Sequence, residues 1–195
     1  EIESMIERFP EVDRVAVAGS VRRRKETIGD IDIVASSARP EKVMERFLAL
    51  PFIAHVYARG STKTNVRMKN GLDCDIRVVP KKSWGAALNY FTGSKDHNVA
   101  LREIAAKNGW KLNEYGLFAR SRTSRGLSPR RSGLQPREGG KSDFGACIAG
   151  RTEEEIYEKL GLRYIEPELR ENAGEIDAAR RNKLPKLIGY GDLKG

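Results

Sequence analysis

Residues 15–34 read VAVAGSVRRRKETIGDIDIV. Val15, Ala16, Val17 and Ala18 make a short apolar strand, which Gly19-Ser20 ends. A basic stretch, Arg22 to Lys25, follows, and then Ile31, Ile33 and Val34 mark a second strand. Residues two apart on a strand share a face, so Asp30 and Asp32 stand side by side while Ile31 and Ile33 turn into the core. Two like charges that close must be offset. A divalent cation does so directly, and hard oxygen ligands favour Mg²⁺ or Mn²⁺ over zinc. The plainer alternative is a pair of solvated acids on an exposed face.

Outward from that stretch, residues 2–9 carry Ile2, Met5, Ile6 and Phe9 at helical spacing, and Pro10 stops the helix. Pro40 opens a second helix, Glu41 to Leu50, with Val43, Phe47 and Leu48 on one face. Strands are expected near 53–58 and 65–69, then a hairpin turn at Asn70-Gly71, then a strand from Asp73 to Val79. This order argues for an α+β fold, a mixed sheet with helices packed against it. After Pro80 the pattern predicts helices at Trp84–Phe91 and Val99–Lys107, short strands at Lys111–Asn113 and Gly116–Ala119, and a helix at Glu153–Leu160. Thr152 and Glu155 fit a capping box for that last helix. The change of texture divides a sheet-bearing part, 1–81, from an α/β part, 82–195.

Two other clusters bear on the Asp30-x-Asp32 pair. Gly19 lets the backbone approach a ligand closely. Ser20 either caps the next helix or gives its hydroxyl to a phosphate, with Arg22 and Arg23 available for charge-assisted bonds. Asp75 lies on a later strand, with Asp73 two residues before it. A third carboxylate facing Asp30 and Asp32 would complete a site for two metals. Cys74 alternates to the opposite face and reads as a small core residue. His55 and His97 read as surface residues.

The chain has 195 residues, with 36 Lys plus Arg against 27 Asp plus Glu, a net charge of +9. That balance favours polyanionic partners, nucleic acid first. Two cysteines and two histidines are too few for a disulfide framework or a Cys/His zinc site, and point to a reducing, cytoplasmic setting. No apolar run approaches a membrane span. The chain starts at Glu1 and its first methionine is Met5, so a piece of a longer protein is expected. In residues 120–142, seven basic side chains against one acid supply +6 of the net charge, amid Ser, Gly and Pro. Residues 120–147 are therefore expected to form a basic irregular loop. Two origins stay open: a loop that grips DNA, or GC-rich coding sequence read out of frame.

Gly19-Ser20-x-Arg22-Arg23, then Asp30-Ile31-Asp32, then Asp75-Ile76-Arg77, resembles the nucleotidyltransferase core of family X DNA polymerases, the polymerase-beta-like repair enzymes. Tyr90-Phe91-Thr92-Gly93-Ser94, Asn98, Arg102 and Asn113-Glu114-Tyr115 extend the likeness in order. TEEEIYEKLGL with YIEPELREN resembles the bacterial and archaeal branch. The likeness implies a palm domain at 1–81 and a thumb-type, nascent-base-pair domain at 82–195. It implies that Asp30, Asp32 and Asp75 hold two Mg²⁺, with Mn²⁺ as a substitute, and that Asp75 lies nearest the primer 3′-hydroxyl. Ser20 and Arg23 would bind the dNTP triphosphate, with Gly19 and Arg22 shaping that loop. Tyr90, Phe91 and Gly93 would meet the sugar, Asn98 the base edge, Arg102 the template strand, and Arg77 would orient the carboxylates beside the DNA. The implied activity is templated addition of dNMP to gapped or template–primer DNA by a monomer. A non-templated nucleotidyltransferase and a silent nucleic-acid-binding module are the alternatives. Without the helix-hairpin-helix segments usual in the family, DNA binding would be weak and addition distributive.

Overall fold

A computed structural model describes residues 1–120, 144–188 and 192. Five strands form a mixed sheet in the order β1-β2-β5-β4-β3: β1 (Arg14–Val17), β2 (Asp30–Ser36), β3 (Ile53–Arg59), β4 (Lys63–Met68) and β5 (Asp73–Val79). β2 and β5 run parallel, and the other neighbours are antiparallel. A parallel pair needs a crossover, which helix α3 (Pro40–Leu48) and the β3–β4 hairpin supply. Asn70-Gly71 turns the chain between β4 and β5, with Gly71 at φ +86°.

Alternation along β2 and β5 gives the sheet two unlike faces. One carries Ile33, Ala35, Cys74, Ile76 and Val78, buried against Ile6 of α1 (Ile2–Glu7) and Val43, Met44 and Phe47 of α3. Cys74 is a core residue, as its place beside Asp75 requires. Burial, then the nearby carboxylates, push its thiol up to about 12. The other face carries Asp30 and Asp32 at the start of β2, then Val34. Trp84, Ala87 and Leu88 of α4 (Trp84–Thr92) cover Val34 and Val79. The helix therefore closes the far half of this face and leaves the acidic half open.

A second core lies between α4, α5 (Lys95–Lys107), α6 (Glu153–Lys159) and α7 (Glu175–Arg180) and a three-stranded antiparallel sheet, β6 (Trp110–Asn113), β7 (Gly116–Arg120) and β8 (Phe144–Ala149). Leu101, Ala105, Leu117, Ile156, Tyr157 and Ile165 are fully buried in it. α4 serves both cores, with Ala87 and Leu88 on one and Ala86 on the other. Its close approach to α6 depends on Gly85, because a Cβ there would overlap the backbone of Thr152.

Three expectations are corrected. Arg120 belongs to strand β7 and residues 144–147 to strand β8, not to an irregular loop. Gly145, Ala146 and Cys147 carry little strand signal, and pairing with β7 supplies the order. The rest of the expected loop, 121–143, lies outside the described residues. α5 starts at Lys95, four residues before Val99, because the Ser94 hydroxyl caps it by accepting from the His97 N–H at 3.3 Å. His97 is not a surface residue. It is wholly buried, with both ring nitrogens hydrogen-bonded.

Candidate active site

The acidic half of the sheet is built by register. Asp30 stands opposite Asp73, and Asp32 opposite Asp75, on the parallel strands β2 and β5. The turn after β1 closes onto them. Gly19 opens the short helix α2 (Gly19–Arg22) at φ +58°, and a Cβ there would run into the Asp32 carboxylate. Glycine permits both the dihedral and the approach. The Ala18 N–H donates to the Asp32 carbonyl at 2.8 Å and fixes the turn against β2.

Charge at this point is poorly compensated. Burial, then the Asp30 and Asp75 carboxylates, push Asp32 up to about 6 against the opposing pull of Arg23 and Lys63. Asp75 accepts from the Asn65 side-chain amide and lies 3.9 Å from the Lys63 ammonium, both from β4. Asp73 is taken up by Arg67 at 2.6 Å, whose guanidinium also donates to the Tyr57 hydroxyl at 2.8 Å. Among the described residues, no three His, Cys, Asp or Glu side chains converge as a preformed ligand set. The donor chemistry nevertheless suits a hard divalent cation. Four aspartates share one face, and burial together with the Asp30 and Asp75 carboxylates raises Asp32 above the usual carboxylate range.

A cleft of about 500 Å³ opens beside this face. Gly19, Ser20, Arg23, Asp30 and Asp32 line it from the sheet side. Tyr90, Phe91 and Gly93, at the end of α4, and Asn98 and Arg102, on α5, line it from the other. Ten of the thirteen residues singled out from sequence thus meet around one cavity. The Ser20 hydroxyl is buried and has no hydrogen-bond partner among the described residues. The Asn98 amide donates to the Tyr90 carbonyl at 2.7 Å, and the Tyr90 and Phe91 rings pack edge to face at 5.2 Å. Asn98 and Tyr90, on the cavity's far wall, are therefore held to each other.

The other three lie differently. Asp75 stands in register with Asp32 but lines the neighbouring part of the face, next to Asn65. Arg77 stacks over the Phe91 ring at 5.2 Å and supports that ring from beneath, rather than entering the cleft. Arg22 turns away from the cleft altogether. It grips Glu153 of α6 through two bonds of 2.9 and 2.6 Å and donates to the Thr92 hydroxyl at 2.7 Å. Burial favours the neutral form of Glu153, but Arg22 and Arg170 outweigh it and hold that carboxyl below its ordinary value. Arg22 shapes the turn as a strut, because a buried anion waits for it on the other side. Its neighbour Arg23 stays at the cleft, paired with Glu171 at 2.9 Å and donating to the Thr92 carbonyl.

Sequence reasoning missed several participants. Lys95 lines the cleft with Asn98 and Arg102. Their spacing of three and seven residues was the available signal, once α5 is known to start there. Asn65 and Lys63 reach Asp75 from an adjacent strand, and Glu153, Arg170 and Glu171 hold the basic turn from about 130 to 150 residues away. No local pattern announces such partners.

The chain is similar to known proteins along its whole length. The DNA polymerase beta thumb family matches residues 87–171. The DNA polymerase/3′-5′ exonuclease PolX of Bacillus subtilis (strain 168) is 32% identical over 197 residues, covering 100% of this chain and 30% of that protein. DNA polymerase lambda of Rattus norvegicus is 27% identical over 76% of this chain and 27% of its own length. DNA polymerase lambda of Arabidopsis thaliana is 26% identical over 86% of this chain and 34% of its own. Among solved structures, polymerase beta of Leishmania infantum in a ternary P/T complex aligns with a TM-score of 0.63 and 27% identity, over 81% of this chain and 67% of that one. The chain spans about a third of the length of the curated relatives it matches.

Proposed function

The chain belongs to the family X DNA polymerases, and from that membership we propose that it carries the core of a template-directed repair polymerase, adding dNMP from dNTP to a primer 3′-hydroxyl. The observation that carries this reading is the cleft itself. It joins a carboxylate pair, a Gly-Ser turn with a free buried hydroxyl, and an aromatic and amide wall around a space fit for a nucleotide. The division at 81/82 into palm and thumb belongs to the same proposal.

Each group then has work to do. The Ser20 hydroxyl and the Arg23 guanidinium offer donors to the triphosphate, with Arg23 leaving Glu171 to do so. Tyr90, Phe91 and Gly93 confine the sugar, and Asn98, already aimed by its bond to Tyr90, faces the base edge. Arg102, on the same wall as Asn98, would reach the template strand. Asp30, Asp32 and Asp75 would hold two Mg²⁺, or Mn²⁺ in their place, which when bound neutralise the phosphates and lower the pKa of the attacking hydroxyl. Asn65 and Lys63 keep Asp75 oriented for the incoming primer end. Transfer is in-line, and the protein's contribution is positioning and charge stabilisation. A DNA partner also gives the net charge of +9 its use.

The test is single-nucleotide addition on a one-nucleotide-gapped duplex, with the template base varied and Mg²⁺ or Mn²⁺ supplied at low salt. Addition of the matched dNTP is expected, with Asp75→Ala reducing it by about a hundredfold or more, since a lost metal contact is worth several kcal/mol. Addition that ignores the template base would instead make the chain a non-templated nucleotidyltransferase.

A further inference from the structure

The mechanism leaves a buried polar cluster unused. His97 sits in the first turn of α5 with no exposure. Its Nδ1 lies 2.7 Å from Glu175 Oε1 of α7, and its Nε2 lies 2.9 Å from the Tyr157 hydroxyl of α6. The same hydroxyl stands 3.1 Å from Asn89 Oδ1 of α4, so its one proton serves both the His97 ring nitrogen and the Asn89 oxygen. Glu175 is itself pinned, accepting from the backbone N–H groups of Asn172 at 2.9 Å and Ala173 at 2.7 Å.

The place of these bonds in the chain gives them meaning. Asn89 immediately precedes Tyr90, and His97 immediately precedes Asn98. Tyr90 and Asn98 are the cleft residues joined to each other by the 2.7 Å amide bond. The Tyr157 hydroxyl therefore ties together, from behind, the same two points of the wall that Tyr90 and Asn98 tie together in front. The Asn89 carbonyl also accepts from the Gly93 N–H at 3.2 Å, so the turn between α4 and α5 is held at that end too. A pair of apolar residues would fill this space without the demand for satisfied partners. What the polar chain adds is direction: a hydrogen bond fixes distance and angle, whereas apolar contact tolerates sliding.

Resting on the proposed function above, we infer that His97, Tyr157 and Glu175 form a buried clamp that sets the spacing of Tyr90 and Asn98, and with it the selection of the incoming nucleotide. His97 is a positioning residue in this scheme. It touches no substrate, and acts through the wall in front of it.

Tyr157→Phe is the decisive variant, because it deletes the hydroxyl and keeps the ring with its packing. His97→Phe removes both bonds and fills the space. Both are compared with the parent chain on the gapped duplex for KM and kcat with matched dNTP, and for preference of dNTP over rNTP, alongside thermal melting. The clamp predicts that each variant raises KM for dNTP by about three- to tenfold and lowers the sugar preference by a similar factor, the size expected for one hydrogen bond. kcat should stay within about twofold. Unchanged KM and unchanged preference in Tyr157→Phe, whatever the melting temperature, would reduce the cluster to a structural core and overturn the inference. Should His97→Phe fail to fold, Tyr157→Phe carries the test alone. Should the parent chain bind dNTP without adding it, the polymerase reading fails, and the dNTP dissociation constant by calorimetry reads the clamp in its place. Equal constants for parent and Tyr157→Phe would overturn it. A parent chain that neither binds nor adds dNTP overturns both readings.

Discussion

At the scale of single residues, Asp32 and His97 pull stability in opposite directions across the same pH range. Asp32 is held up to about 6 in the fold, above its ordinary 3.8, first by burial and then by Asp30 and Asp75. The folded state therefore keeps a proton that the unfolded chain gives up. The associated stability is full below about 3.8 and is lost as pH rises through about 6. His97 is pulled below its ordinary 6.5, first by burial and also by Arg170, against Glu175. Its contribution is present above 6.5 and is lost on acidification, as the buried ring must charge. Asp32→Asn removes only the first effect. In the presence of a chelator it should melt above the parent chain at pH 7–8, with the gap closing as pH falls toward 4, measured by calorimetric melting at a series of pH values. A gap that does not change with pH would show that Asp32 ionises normally. The pairing of Asp30 and Asp32 on one face was readable in sequence because strand alternation places them together within three residues. The burial of His97 was not, because its partners Tyr157 and Glu175 lie 60 and 78 residues away.

At the scale of elements, the strands that read most clearly were those with their own period. Asp73–Val79 alternates buried and half-buried side chains along most of its length, and its bounds match the sequence reading. β8 is the converse case, a strand specified by its neighbour β7 rather than by its own small residues. α6 shows how local chemistry suffices for a helix start. The Thr152 hydroxyl accepts from the Glu155 N–H at 3.3 Å, while the Glu155 carboxylate accepts from Gly150 and Arg151 at 3.2 and 3.0 Å. Thr152→Ala should lower stability by about 1 kcal/mol, the usual worth of an N-cap, as measured by urea unfolding. Gly85→Ala should lower it more, because its Cβ would meet the Thr152 backbone, which cannot yield as a side chain can. Equal effects from the two would show that α4 and α6 move apart freely.

At the scale of the whole molecule, the cleft exists because two distant parts of the chain meet. The carboxylates and the Gly-Ser turn come from residues 19–32, and the opposite wall from residues 90–102. Composition and periodicity give no means of placing these together. The order of motifs shared with family X polymerases did, and ten of the thirteen residues so marked line the cavity. Arg22 departs from that pattern because the fold spends it on Glu153, a contact across 131 residues. The basic stretch 121–143, which accounts for much of the net charge, lies outside the described residues. The claim at the centre is that the acidic face and this cleft act as one cation-dependent nucleotide site. The most direct test is calorimetric titration of the chain with dNTP, with Mg²⁺ or with chelator, for the parent and for the Asp30→Asn, Asp32→Asn double variant. The site described here predicts dNTP binding that strengthens on adding Mg²⁺ in the parent, and no Mg²⁺ effect in the variant. Binding that is indifferent to Mg²⁺ in the parent, or an equal Mg²⁺ effect in both proteins, would contradict it.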